Sequence, residues 1–227
     1  ISVEQARLNL ETEMTDWDFD VTRLETENYW ERELERIDAR SADEETLKIF
    51  YSSMYHAFQM PTLFTDVNGK YLGFDDQVHD ADGFRYYTDF SLWDTYRTLH
   101  PLMILVQPER QLDMVKSLIK MYEQGGGFPK WPMGNGYSNC MVGTSSDIVV
   151  SETYIKGITD FDAEEAYEGL CKTANAPPPE GAEYSGRGRE VTSYLDLGYV
   201  AADVGSSSVS KSQEYYYDDW ALSHFAE

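Results

Sequence analysis

Three stretches of the chain carry side chains whose types and spacing could do chemistry together. In Phe90-Ser91-Leu92-Trp93-Asp94-Thr95-Tyr96-Arg97, Arg97 follows Trp93 by four residues and Asp94 by three, so a helix sets all three on one face. A flat indole beside a carboxylate and a guanidinium suits a sugar. The ring stacks on the apolar face of a pyranose while the charged groups take its hydroxyls. The same spacing describes a surface Asp–Arg pair over a core Trp. The second stretch, Pro129 to Met141, holds Trp131 in a Gly- and Asn-rich loop, a platform for a ligand or an anchor tucked into the core. The third is Glu214-Tyr215-Tyr216-Tyr217-Asp218-Asp219-Trp220. Its Glu214 and Asp218 stand one helical turn apart and offer the oxygen ligands that calcium prefers. The spacing is not that of an EF-hand loop and equally fits a solvated acidic face with aromatic packing.

Other candidates are weaker. Asp75, Asp76, His79, Asp80 and Asp82 have a metal-like composition but read as a solvated loop. His56 and His100 fall in helical runs and read as core histidines. Cys140 and Cys171 are too few for a disulfide framework or a zinc site and read as buried free thiols. There is no Gly-Lys-Ser/Thr phosphate loop and no Gly-x-Ser-x-Gly elbow, so nucleotide and serine-hydrolase chemistry have no support. The 227 residues hold 18 Lys and Arg against 41 Asp and Glu, a net charge of −23. That charge argues against nucleic acid and anionic membranes as partners. It suits a soluble protein, a calcium binder or a protein of salty surroundings. Apolar residues at 41% and aromatics at 14% are enough for a real core. No apolar run is long enough to span a membrane.

The elements that must hold these residues are mostly helices. Trp17, Val21, Leu24, Trp30, Leu34 and Ile37 recur at helical steps. Ser41 to Glu44 reads as a capping box opening a helix that turns Leu47, Tyr51, Met54 and Phe58 to one face and stops at Pro61. Asn68-Gly69 between β-prone arms predicts a hairpin, followed by a polar loop over Asp75 to Tyr87. Helical spacing returns at Leu92, Tyr96, Leu99 and Met103, where Pro101 should kink or restart it. Pro108 opens a further helix, with Leu112, Val115 and Ile119 inward, and Gly125-Gly126-Gly127 ends it. Two more helices follow, from Thr144 to Gly157 and from Asp162 to Cys171. Residues 175–208, rich in Pro, Gly and Ser, read as a long loop. Ser210 and Gln213 cap the last helix. The chain has no initiator Met, and both ends read as cut.

Several motifs occur in a telling order. They are Ile1 to Arg7, Phe50 to His56, Pro61 to Gly69, Phe90 to Arg97 with His100-Pro101-Leu102, and Gln107 to Arg110. Asn139 to Gly143, Lys156-Gly157-Ile158, and Glu214-Tyr215 with Tyr217 to Trp220 complete the set. Together they resemble glycoside hydrolase family 92, the calcium-dependent α-mannosidases, along nearly the whole chain. The resemblance implies a mainly α fold. Residues 1–227 would be the first part of an (α/α)6 toroid, with a small β-hairpin insertion and with 175–208 as a long loop. The family's N-terminal β-sandwich, a partner domain of the same polypeptide, would be absent. Half a toroid leaves core surface unburied, so low stability and no activity are expected of these residues alone.

The implied activity is exo-acting hydrolysis of α-mannosides with inversion, one carboxylic acid protonating the leaving oxygen and a carboxylate activating water. The resemblance places Trp93, Asp94, Arg97 and Trp131 around mannose, and Glu214 with Asp218 at Ca2+. It also implies an extracellular or periplasmic enzyme. Tyr137 occupies the family's general-acid position, and the base aspartates would lie beyond Glu227. A phenol with a pKa of about 10 is a poor acid near neutrality. Three readings stay open: Asp147 or Glu152 substitutes, the leaving group needs no proton (as in a mannosyl phosphodiester), or the protein binds mannose-type glycans without catalysis.

Overall fold

The computed structural model describes all residues from Ile1 to Glu227, and the fold is mainly helical as expected. Three helices lead: α1 (Val3–Glu13), α2 (Phe19–Leu34) and α3 (Glu44–Ala57). Four short strands follow, β1 (Thr62–Leu63), β2 (Lys70–Leu72), β3 (Val78–Asp80) and β4 (Tyr87–Thr88). Next come α4 (Leu92–Thr95), α5 (Leu99–Val106) and α6 (Pro108–Gly125), then the small ribbon β5 (Pro132–Met133) and β6 (Gly136–Tyr137). The chain ends in α7 (Ser146–Ile155), α8 (Ala163–Asn175), α9 (Val191–Leu197) and α10 (Ser208–Phe225).

The boundaries follow local chemistry. Pro108 is the first residue of α6, and Gly126 caps the helix in the left-handed region at φ 85°, where a glycine has no Cβ to clash. Asp162 accepts from Glu165 N–H at the start of α8. Residues Ser146 to Ser151 of α7 are all buried, so this helix is central, and it packs most extensively against α10. The main core joins Met114, Leu118 and Met121 of α6, Val149 and Val150 of α7, Leu170 of α8 and Phe225 of α10. Met54, Phe58 and Met103 form a second, smaller core with Trp30, Leu34 and Ile37 packed against it. Neither α1 nor α2 buries a residue fully, and Trp17, Phe19 and Leu24 stand open to solvent.

Several expectations are corrected. The cap of α3 is Asp43, which accepts from Glu45 and Thr46 N–H, while Ser41 supports Asp43 from outside. The turn at Asn68-Gly69 forms, but its arms do not pair: β1 pairs with β4 and β2 with β3, both antiparallel. Thr65 draws the first arm away, because its hydroxyl accepts from Tyr86 N–H at 2.6 Å. The segment read as loop, Asp75 to Tyr87, therefore supplies β3 and the start of β4. The break in the helical run falls between α4 and α5, ahead of Pro101. Residues 175–208 contain α9, whose Val191 and Tyr194 are too few apolar positions to show a period. The last helix starts at Ser208 with no side-chain cap. Cys140 is exposed and Cys171 half-buried, since loop and helix edge turn them outward. His56 is exposed on the outer side of α3, whereas His100 is buried.

Candidate functional site

The site residues are set by two elements remote in sequence, the α4–α5 junction and α10. Arg97 follows α4, and its guanidinium lies over two rings, 4.8 Å from the Trp93 centroid and 4.6 Å from that of Tyr96. Its Nη1 donates to the Tyr96 hydroxyl at 2.6 Å and its Nη2 to Glu214 Oε1 at 3.1 Å. The Tyr96 hydroxyl in turn donates to Glu214 Oε2 at 3.3 Å. Burial, with the Glu214 charge second, pushes this phenol up to about 12, so it remains a donor. Trp93 Nε1 is buried without a partner. Tyr96, Arg97, Glu152, Gln213, Glu214 and Tyr217 wall an open cleft of about 550 Å³. Tyr217 stacks on the exposed Trp220 at its edge.

Arg97 and Glu214 thus come together, but Arg97 and Asp94 do not pair. Asp94 is exposed and accepts from the Ser91 hydroxyl. It lines a separate depression with His56, Met60 and Thr98. The carboxylate for Arg97 comes from α10, 117 residues on.

Asp218, one turn after Glu214, faces inward and is fully buried. Its Oδ2 accepts from Thr144 N–H at 2.8 Å, and the Thr144 hydroxyl lies 3.1 Å from it and 2.7 Å from Asp147 Oδ2. Arg187, also buried, reaches Asp219 at 2.6 Å and Asp147 at 3.4 Å. One Oδ1 of each of Asp147 and Asp218 has no hydrogen-bond partner. Burial pushes Asp218 up to about 6, against the pull of Arg187 and Thr144. Asp147 is also held well above the ordinary carboxylate range, by burial and by the Asp218 charge. Gly143 closes this network over α10: a Cβ there would sit 3.1 Å from Glu214 Cβ and 3.4 Å from Asp218 Oδ2.

Tyr137 points into the protein. Its hydroxyl lies 2.7 Å from Gly127 O and 3.1 Å from Met121 O, and its ring packs edge-on against Phe74. Burial raises this phenol above its usual range. Trp131 is half-buried beside β5, and its carbonyl accepts from Ser138 N–H and hydroxyl. It is not a wall of the Arg97 cleft. Next to it, burial pushes the Lys130 amine down to about 8, with Lys211 adding to the effect.

For calcium, the chain brings together no group of three His, Cys, Asp or Glu side chains able to hold a metal. Glu214 and Asp218 can supply part of a sphere of six to eight oxygens, with a bare Oδ1 on Asp218. Sequence reasoning missed Tyr96, Thr144 and Arg187. Tyr96 lay in plain view between Trp93 and Arg97. The signal for Arg187 was its place between Gly186 and Gly188, both at positive φ.

No helix is long and apolar enough to cross a membrane. Among solved structures, a family GH92 α-mannosidase of Bacteroides thetaiotaomicron matches with a TM-score of 0.90 and 35% identity, over 100% of this chain and 29% of that one. That mannosidase has also been solved with mannoimidazole. A family GH92 inverting mannosidase of B. thetaiotaomicron VPI-5482 matches at 0.92 and 33%, over 100% and 30%. A curated relative, described as an uncharacterized secreted glycosidase of Arthroderma benhamiae, is 25% identical over 98% of this chain and 26% of its own length. The chain therefore spans under a third of the length of these relatives, and its helices are one part of the (α/α)6 toroid. The model of the glycosyl hydrolase family 92 catalytic domain matches residues 5–227, and the chain belongs to that family.

Proposed function

We propose that this chain is part of the catalytic domain of an exo-acting, inverting α-mannosidase and that the Arg97–Glu214 cleft belongs to its mannose-binding region. The observation that carries the reading is the clamp itself. A guanidinium held between two aromatic faces and tied to Glu214 offers fixed donors and acceptors to sugar hydroxyls beside a stacking surface. Arg97 takes part directly, with Trp93 beneath its guanidinium; Asp94 and Trp131, which lie outside this cleft, reach the sugar only if it extends beyond it. The full-length polypeptide should release mannose from an α-mannoside, with proton NMR showing the β-anomer first. Absence of release from every α-mannoside and mannosyl phosphodiester tried, with calcium present, would refute the proposal.

The geometry at residue 137 bears on the substrate. A hydroxyl committed to Gly127 O and Met121 O is no proton donor to a leaving group, and burial raises it further. A mannosyl phosphodiester removes the need. Water adds to the anomeric carbon on the opposite face and the C1–O bond breaks. The phosphate monoester leaves with the bonding pair, and a base outside these residues takes the water proton. Rates on a mannosyl phosphodiester should therefore far exceed those on an alkyl mannoside. Tyr137 also favours the alternative of glycan binding without catalysis, which calorimetry would reveal as mannose binding without turnover.

Calcium would be held by Glu214 and Asp218 together with oxygens from elsewhere in the polypeptide, and would help to fix the bound mannose. EDTA should abolish activity of the full-length enzyme, and added calcium should restore it. We also infer an extracellular or periplasmic protein, supported by the secreted description of the Arthroderma relative.

A further inference from the structure

We propose that a second cleft, at the opposite end of α5 from Arg97, is a glycan-binding site that takes a neutral oligosaccharide arm. The identity of the sugar as a mannan rests on the mannosidase reading, whereas the existence of the site does not. The cleft lies between α2, the end of α3, β4 and the start of α6, and holds about 520 Å³. That is within the range of small-molecule sites.

Its polar floor is fixed before any ligand arrives. The Glu33 carboxylate accepts from Arg36 Nε at 2.9 Å and from Gln107 Nε2 at 2.9 Å. Arg110 donates to Phe58 O at 3.1 Å and more weakly to Gln107 Oε1 at 3.4 Å. Its guanidinium lies 5.4 Å from the Tyr87 ring centroid. No carboxylate pairs with it, and its Nε is buried without a partner. In a chain with an excess of 23 negative charges, this half-buried guanidinium meets only neutral oxygens, those of Gln107, Phe58 and Pro61, and its Nη atoms, not the buried Nε, are the donors a ligand in the cleft could reach. Asp113 faces the same space, and burial raises its carboxyl.

Above the floor stand two aromatic side chains, Trp30 and Tyr29, the latter 52% exposed. Rings beside fixed donors and acceptors match a pyranose, which has an apolar face and hydroxyls that both donate and accept. The charges balance, with Arg36, Arg85 and Arg110 against Glu33, Glu109 and Asp113, so a neutral polyhydroxylated ligand fits better than an anion. Pro101 lines the first cleft and Gln107 the second. The step of six residues from Pro101 to Gln107 along α5 is an axial rise of about 9 Å. A monosaccharide substrate cannot touch both, whereas a branched or extended glycan can.

The test uses the full-length polypeptide with Tyr29→Ala and, separately, Arg85→Ala, both exposed positions outside the Arg97 cleft. Retardation in native gels containing yeast mannan measures binding without turnover, and KM is compared on mannan and on an aryl α-mannoside. Loss of one stacking face should raise the mannan KM about fivefold and weaken retardation, with the aryl mannoside KM unchanged. Unchanged retardation in both variants would overturn the proposal, and so would an equal rise in both KM values. If the protein turns over no mannoside, the mannosidase reading fails. Retardation that is lost in Tyr29→Ala would even then support this site.

Discussion

Replacing Tyr137 by Phe separates a structural phenol from a chemical one. The ring and its contact with Phe74 remain, so no cavity opens. What disappears is the hydroxyl near Gly127 O at 2.7 Å and Met121 O at 3.1 Å, which leaves buried carbonyls without that donor. Such a loss costs about 1–3 kcal/mol. In a polypeptide as long as its relatives, more than three times this chain, each kcal/mol moves the melting temperature by only about 1 °C or less, so a drop of roughly 1–2 °C is expected near the middle of that range. Turnover at 25 °C should stay within a factor of two of wild type, because the hydroxyl points into the protein and is committed to two backbone carbonyls. Thermal melts and initial rates on the full-length polypeptide check both halves. A tenfold fall in kcat without a change in melting temperature would refute the reasoning and return Tyr137 to the reaction. Tyr137→Glu should restore no acid. Its carboxyl would be aimed at two carbonyl oxygens, and the shorter side chain would leave much of the ring's volume empty. The expected result is a loss above about 3 kcal/mol.

Arg97→Ala should lower kcat/KM on an α-mannoside about 10–100-fold, the equivalent of losing one charge-assisted interaction. Its effect on stability should be under about 1 kcal/mol, because the side chain is 44% exposed. Arg97→Lys should not rescue the rate, since an ammonium cannot lie flat between Trp93 and Tyr96 while reaching Glu214; full rescue would refute the clamp. Two buried groups titrate in overlapping windows with opposite sign. Burial pushes His100 down to about 4, while a hydrogen bond to Gln111 opposes it. The unfolded chain therefore binds the extra proton, and stability falls as pH drops from about 6.5 to about 4, by on the order of 3 kcal/mol. In the metal-free protein Asp218, pushed up to about 6 by burial, does the reverse: the folded chain holds the proton, and stability falls as pH rises from about 4 to about 6. Relative to wild type, His100→Gln should lose stability as pH rises through that window and Asp218→Asn as pH falls through it. Denaturant midpoints at pH 4, 5 and 6, measured with EDTA so that no calcium occupies Asp218, check this, and parallel profiles for all three proteins would refute it.

What the sequence disclosed and what it withheld divide by the range of the forces involved. The ends of α6 and the start of α8 were legible because Pro108, Gly126 and Asp162 act on backbone within one turn. The inward faces of α6 and α8 were legible because burial imposes a period. Pairing was not. The Asn68-Gly69 turn formed as its local chemistry demands, yet Thr65 and Tyr86 decided which strands meet. Such a contact competes with the adjacent arm and leaves no mark in spacing. The site shows the same division. Trp93 and Arg97 were placed together correctly, because four residues of helix fix their relation. Spacing offers the nearby Asp94 as a partner for Arg97, whereas the folded chain supplies Glu214 from α10. Position 137 could be read as chemically unsuited to proton donation, but not as turned inward, since that depends on the glycine loop. A Cβ on Gly125 would overlap the Tyr137 hydroxyl, so the room for this phenol exists only because that residue is glycine. Arg187 follows the same rule. Gly186 and Gly188, both at positive φ, let the backbone turn sharply enough to bury a guanidinium among Asp147, Asp218 and Asp219.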